Sequence, residues 1–175
     1  MAGTNPLYMS SDEMLQIWNA YDCNKDSALF VDPLWRDVYF TEEKSKDLKR
    51  IFVKFGYPKR FIFLPINVKL SDGLAHWFLM VCDRDTHQCI IYDSIRHLLQ
   101  THDGYKPIFN LLKQCKIISN QTKLSVESEW YPQQTDGHSC GYRVLTTMLL
   151  IVLKNRLLVE TDKWLFNDQI KRFVG

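Results

Sequence analysis

Apolar residues recur at helical spacing at Met14, Ile17, Trp18 and Tyr21, directly after Ser10-Ser11-Asp12-Glu13. A hydroxyl cap followed by acidic residues is how a helix starts, so the pattern predicts a helix over 11–21. A second helix is predicted over 41–55: it opens on Thr41 and two glutamates, turns basic toward its end and stops at Gly56. Charges of that order complement the helix dipole at both ends. Its polar face (Lys44, Lys46, Lys49, Arg50 and Lys54) reads as a solvated surface.

The middle of the chain changes period. Arg60–Val68, His76–Cys82 and Gln88–Tyr92 are rich in β-branched and aromatic residues, and the last two flank the polar stretch Asp83–His87. That is hairpin length, so these two runs are expected to pair antiparallel. Asp103-Gly104 precedes a helical pattern that runs through Lys116 and carries Ile108, Leu111 and Leu112, and a strand near Thr122–Trp130 can extend the sheet. From Cys140 to about Leu157 the pattern is apolar on every side, which predicts a helix buried in the core. A short amphipathic helix, Phe166–Phe173, closes the chain. The order of helices and strands is that of an α+β fold.

Composition bounds the picture without altering it. At 175 residues, 46% hydrophobic and 24% charged, the chain suits one domain spanning 1–175 with a substantial core, which excludes an intrinsically disordered protein. Twenty-two Lys and Arg against 20 Asp and Glu leave a formal charge of +2, so nucleic acid is not an expected partner. The longest apolar run, Val144–Leu153, is about half a membrane span, and no secretory leader is visible in the first residues. No internal repeat is evident. The five cysteines form no CxxC pair and no zinc-like cluster, and no metal or organic cofactor is expected. Cys82, Cys89 and Cys115 lie among apolar neighbours and read as free core thiols, which fits a reducing, intracellular compartment.

Cys140 differs from the other four. It follows the polar stretch Gln133-Gln134-Thr135-Asp136-Gly137-His138-Ser139 and opens the buried helix, where the positive end of the dipole favours a thiolate. Gly141, next to it, is expected to leave room for a substrate backbone. A cysteine nucleophile needs a base, and the base needs an orienting group. Of the five histidines, His76 alone heads an apolar strand, and Asp93 ends its hairpin partner. Hairpin geometry makes the start of one strand a neighbour of the end of the other, so His76 and Asp93 are expected to meet. Gln134 and the Cys140 N–H are candidate donors to an oxyanion, with Gln133 as competitor.

His76-Trp77, Tyr92-Asp93-Ser94, Pro132-Gln133-Gln134 and Cys140-Gly141, in that order, resemble the ubiquitin-like-protein-specific proteases. These are the SUMO-deconjugating cysteine proteases, with the adenoviral protease as a distant relative. The likeness is strongest over about 60–150. Ser11-Asp12-Glu13-Met14-Leu15 is similar to the family's first helix, and Phe166–Phe173 to its last. The resemblance implies a papain-like α+β cysteine protease domain in which His76, Asp93 and Cys140 act together and Gln134 binds the oxyanion. It further implies that Trp77 covers a narrow tunnel for a C-terminal Gly-Gly, and that Met9 and Asp12 contact the substrate. Two positions depart from the family pattern: Ser139 stands where an Asp is usual, and Met9 aligns with an expected tryptophan on the opposite tunnel wall.

The function so implied is cleavage after the Gly-Gly of SUMO or a related ubiquitin-like modifier, by a monomer in cytoplasm or nucleus, or in a host cell for a viral or effector protein. A processing protease or acyltransferase using the same residues is the nearest alternative. An inactive module that binds a ubiquitin-like protein is the alternative from another class.

Overall fold

In the computed structural model, residues 8–34, 40–41, 43–54, 59–69, 75–95, 105–127 and 129–174 are described. Five strands, β1 (Ala28–Phe30), β2 (Phe61–Lys69), β3 (Ala75–Asp83), β4 (Gln88–Tyr92) and β5 (Lys123–Glu127), form one mixed sheet in chain order. The β2–β3–β4 meander is antiparallel, while the outer strands β1 and β5 run parallel to their neighbours. Among the described residues five α-helices surround it: α1 (Ser11–Ala20), α2 (Ser45–Lys54), α3 (Tyr105–Gln114), α4 (Cys140–Lys154) and α5 (Lys163–Val174).

The sheet is buried on both sides, which is why its central strands read as nearly continuous apolar runs. Phe61, Phe63, Trp77, Leu79, Val81, Ile90 and Tyr92 face α1, α4 and α5 and pack with Met14, Trp18, Leu145, Met148 and Phe166. Ile62, Leu64, Ile66, Phe78, Met80 and Ile91 face the other way, against Leu48 and Phe52 of α2 and Ile108, Phe109 and Leu112 of α3. Alternate residues thus serve opposite layers. Helix α4 is the predicted central helix: its residues from Val144 to Val152 are all buried, and only Leu153 and Lys154 emerge at its end.

Helix α1 starts as expected. Glu13 N–H donates to Ser10 Oγ at 3.2 Å and Ser10 N–H to Glu13 Oε2 at 2.8 Å, a reciprocal capping box of the kind that contributes about 1 kcal/mol. Helix α2 begins later than Thr41, because Thr41 O accepts Lys44 N–H at 3.2 Å in a turn rather than opening the helix. The predicted stop at Gly56 lies outside the described residues, and α3 begins at Tyr105, directly after Asp103-Gly104. Helix α5 begins three residues before Phe166.

The cysteine reading needs correction. Cys82 and Cys89 lie directly opposite in the β3–β4 register and are joined by a disulfide, leaving Cys23, Cys115 and Cys140 free. Cys82 and Cys89 are buried as expected but are not thiols, so they lend no support to a reducing compartment.

Candidate active site

The β3–β4 hairpin brings His76 to Asp93. Continuing the register past Leu79↔Tyr92 sets Asp93 across from Phe78, two residues along from His76 and on the same face, a diagonal spacing that long side chains bridge. His76 Nε2 meets Asp93 Oδ1 at 2.7 Å, with both side chains 2% exposed. The same carboxylate oxygen accepts the Ile95 N–H at 2.8 Å, which fixes Asp93 as the strand ends. With Nε2 engaged, Nδ1 is the ring nitrogen left for another partner.

That partner is Cys140, at the first residue of α4 and 1% exposed. Burial works against a thiolate, but the His76 side chain, the Trp77 backbone amide and the Tyr8 side chain all interact with the sulfur and together lower its pKa. His76 moves the other way: burial opposes its charged form, yet hydrogen bonds to Asp93 and Cys140 raise it to about 9. Opposite shifts of this kind favour an imidazolium–thiolate pair, an activated sulfur in a low-dielectric site.

The loop before α4 is built from polar contacts. The Asp136 carboxylate accepts the His138 N–H at 2.9 Å, the Ser139 N–H at 2.6 Å and the Ser139 hydroxyl at 2.8 Å. Burial opposes its charge, but these donors hold the carboxyl below its ordinary range. Ser139 Oγ in turn accepts Arg143 Nε at 3.0 Å, and Arg143 Nη1 donates to Pro132 O at 3.2 Å. Ser139 is therefore a buried relay between Asp136 and Arg143, and the carboxylate of this loop comes from three residues upstream.

The two glutamines separate. Gln133 Nε2 donates to Asp93 O at 3.2 Å and to Tyr131 O at 3.0 Å, which uses both of its hydrogens. Gln134 is tied by its backbone N–H to Ser94 O at 2.9 Å, and its Oε1 accepts the Ser94 hydroxyl at 2.5 Å. Its Nε2 gives one bond, to Asp136 O at 2.8 Å, so a second amide hydrogen remains. The Cys140 N–H lies in the first turn of α4, where no intrahelical acceptor exists. Among the described residues Gln134 thus has one amide hydrogen not engaged by the fold, whereas Gln133 has both engaged.

Trp77 is 1% exposed and donates its indole N–H to Met9 O at 2.9 Å. Met9 is beside the site and 3% exposed. Its side chain packs on Gly141 so closely that a Cβ added there would lie 2.8 Å from Met9 Cβ. The space beside Gly141 is therefore filled by Met9, and the expectation that it is kept open for a substrate backbone is corrected. Asp12 is exposed in the first turn of α1, where its charge complements the helix dipole. Tyr8, next to Met9, packs on the core cluster that contains Cys140, and its buried hydroxyl has no hydrogen-bond partner among the described residues. Among the described residues no group of three or more His, Cys, Asp or Glu is arranged to hold a metal ion, and no helix is long and apolar enough to cross a membrane.

A helix opening on a buried cysteine, set against a sheet that presents histidine and aspartate, is the papain-like α+β arrangement. Residues 38–170 match the model of the Ulp1 protease family, C-terminal catalytic domain, and the chain belongs to that family of cysteine peptidases. No relative was found among curated proteins. Among solved structures, the SUMO protease Ulp1 with its catalytic cysteine oxidised to a sulfenic acid is 16% identical at a TM-score of 0.62, over 95% of this chain and 75% of that one. The C-terminal Ulp1 protease domain in complex with Smt3, the yeast ortholog of SUMO, is 15% identical at a TM-score of 0.61, over 95% and 76%. The Xanthomonas campestris effector XopD bound to ubiquitin is 19% identical at a TM-score of 0.57, over 94% and 90%.

Proposed function

We propose that the chain is a thiol isopeptidase or endopeptidase that cleaves after the C-terminal Gly-Gly of SUMO or a related ubiquitin-like modifier. The observation that carries this reading is the buried series Asp93, His76, Cys140, with histidine raised and cysteine lowered across one contact. The Cys140 thiolate attacks the glycyl carbonyl; a C–S bond forms and the carbonyl π electrons move to oxygen. Gln134 and the Cys140 N–H donate to that oxygen. The His76 imidazolium, held by Asp93, gives its proton to the leaving amine as the C–N bond breaks, and then takes one from the water that hydrolyses the thioester.

The buried indole of Trp77, anchored on Met9 and adjoining the sulfur through its own backbone, favours a substrate tail without side chains. That supports a Gly-Gly terminus over a general peptide. The proposed setting is the cytoplasm or nucleus of the cell that makes the modifier, or of a host cell. Incubation with SUMO, other ubiquitin-like modifiers and ubiquitin, each bearing an electrophilic C-terminus, tests the reading. A covalent adduct with one of them, lost in Cys140→Ala, is the expected result. Folded protein that captures none of them sinks it.

A further inference from the structure

The loop Gln133–Ser139 folds around one carboxylate. Asp136 Oδ1 accepts the His138 N–H at 2.9 Å and the Ser139 N–H at 2.6 Å, and Oδ2 accepts the Ser139 hydroxyl at 2.8 Å. The Asp136 carbonyl oxygen takes Gln134 Nε2 at 2.8 Å. Asp136 thus stands between the two donors assigned to the oxyanion. Its backbone holds the Gln134 amide, and its side chain holds the residue that directly precedes the Cys140 N–H. The Ser139–Cys140 peptide is fixed from its other side as well, because Ser139 O accepts the Arg143 N–H at 3.1 Å.

Ser139 is 1% exposed and caps α4 without spending its hydroxyl on the helix. The hydroxyl donates its proton to Asp136, and its oxygen accepts Arg143 Nε at 3.0 Å. Arg143 is anchored in turn on Pro132 O at 3.2 Å, with its guanidinium 6.0 Å from the centre of the Phe166 ring. A hydroxyl donates and accepts at once, whereas a carboxylate only accepts. Position 139 therefore needs a donor for as long as position 136 carries the charge. Carboxylates at both would set two anions in contact, where they cannot both stay ionised in place.

We propose that Asp136 and Ser139 form one positioning unit for the oxyanion donors, in which a single negative charge at 136 faces a hydroxyl donor at 139 and aligns the Gln134 amide with the Cys140 N–H. The proposal rests on the assignment of those two donors under the proposed function. It accounts for the departure at Ser139: the charge that the family pattern puts directly before the nucleophile is carried three residues earlier, and the hydroxyl relays it to Arg143. Both residues act through Gln134 and Cys140 rather than on the substrate.

Exchanging the charge between the two positions tests this, with two small probes on the full chain. Acylation of Cys140 by N-acetyl-glycylglycine p-nitrophenyl ester, read as the burst of p-nitrophenol, passes through an oxyanion; alkylation by iodoacetamide does not. Both need the thiolate, so their ratio reports the oxyanion donors and not the acidity of the sulfur. Alkylation is followed on the Cys140 peptide by mass spectrometry, and the burst of Cys140→Ala is subtracted, so that Cys23 and Cys115 do not interfere. Asp136→Asn is expected to lower the ratio about three- to tenfold, since an amide keeps an acceptor for the backbone N–H groups but presents a donor to the Ser139 hydroxyl. Ser139→Asp should lower it by about tenfold or more. In the double variant the amide donates to the introduced carboxylate, which also accepts Arg143, and the ratio should return to within about threefold of the parent. Ser139→Asp at the parental ratio, or a double variant no better than Ser139→Asp, overturns the proposal. So does an equal fall in acylation and alkylation, which marks a merely structural role. Should Ser139→Asp not fold, the comparison is with Asp136→Asn: a double variant that folds and matches or exceeds its ratio supports the unit, and one that falls below it or does not fold overturns it. Neither probe carries a modifier, so a restored ratio alongside a failed adduct screen removes the deconjugase reading and leaves the positioning unit standing.

Discussion

The two ends of α4 use charge in opposite ways. At the C-terminal end Asn155 closes the helix in the left-handed region at φ 52°, and the next residue, Arg156, grips Asp162 with two bonds of 2.7 and 2.9 Å. Lys154 adds an ion pair at 3.3 Å and the Val159 N–H a hydrogen bond at 2.8 Å. The Arg156 fork, more than any other contact, brings the Asp162 carboxyl down to about 2. At the N-terminal end the carboxylate of Asp136 is used on backbone amides and a serine, and the sulfur of Cys140 faces an imidazole, an amide and a phenol. Among the described residues no Lys or Arg is paired with the sulfur. One end is an ion-pair network with its protons settled; the other, in the proposed mechanism, holds a proton that is passed between sulfur, ring and substrate.

Substitutions at the N-terminal end should therefore abolish chemistry and spare the fold. Cys140→Ala is expected to eliminate turnover of a modifier fusion and adduct formation while leaving the unfolding midpoint close to that of the parent, measured by urea titration. Gln134→Ala should lower kcat by a factor on the order of 10² to 10³ with KM little changed, as for loss of one oxyanion donor. Gln133→Ala, whose amide faces carbonyls of the fold, should change kcat by less than about threefold. A large effect of Gln133 with none of Gln134 would reverse the assignment of donors.

His76 and Asp93 predict a pH dependence of definite sign. In the proposed mechanism the active pair is imidazolium and thiolate, so kcat/KM should fall on the alkaline side as His76 loses its proton near pH 9. Its folded pKa lies above the ordinary 6.5, so its contribution to stability is complete below 6.5 and is lost as pH rises through about 9. Asp93→Asn removes the carboxylate that sustains the imidazolium. It should lower kcat/KM by on the order of 10² and bring the alkaline limb to lower pH. A limb that stays near 9 in Asp93→Asn would show that another group sets it.

How much of this was legible follows the range of the contacts. His76 and Asp93 are 17 residues apart in one hairpin, so strand alternation and loop length were enough to pair them. The same arithmetic places Cys82 opposite Cys89, a signal present in the sequence but overridden by reading both as core thiols. Cys140 and Gln134 stood out because a polar run meets an apolar helix there. Strand β1 did not: three residues are too few to display a period of two, and its parallel partner begins 33 positions away. Met9 was placed opposite Trp77 by the family resemblance alone. Its contacts reach across the chain to Trp77, 68 residues distant, and to Gly141, and no local pattern encodes such a meeting. Gly141 was misread for that reason, since its small size serves a methionine from the opposite end of the sequence.

The smallest effect on activity is expected at the far end of α4. Asp162→Ala removes the acceptor of the Arg156 fork and of the Val159 N–H without touching the sulfur, so kcat/KM should stay within about twofold. Stability should drop by about 2 kcal/mol at neutral pH, a figure kept modest because the Arg156 side chain is 42% exposed and regains water when its partner is lost. The folded carboxyl titrates below its ordinary value of 3.8, so its contribution is present above 3.8 and disappears as pH falls toward about 2. The deficit of Asp162→Ala, read from urea unfolding at a series of pH values, should therefore shrink from about pH 5 downward. A deficit independent of pH would assign the loss to packing. A variant of normal stability but low kcat/KM would break the contrast between the ends, because it would couple the settled network to the mobile proton through the length of α4.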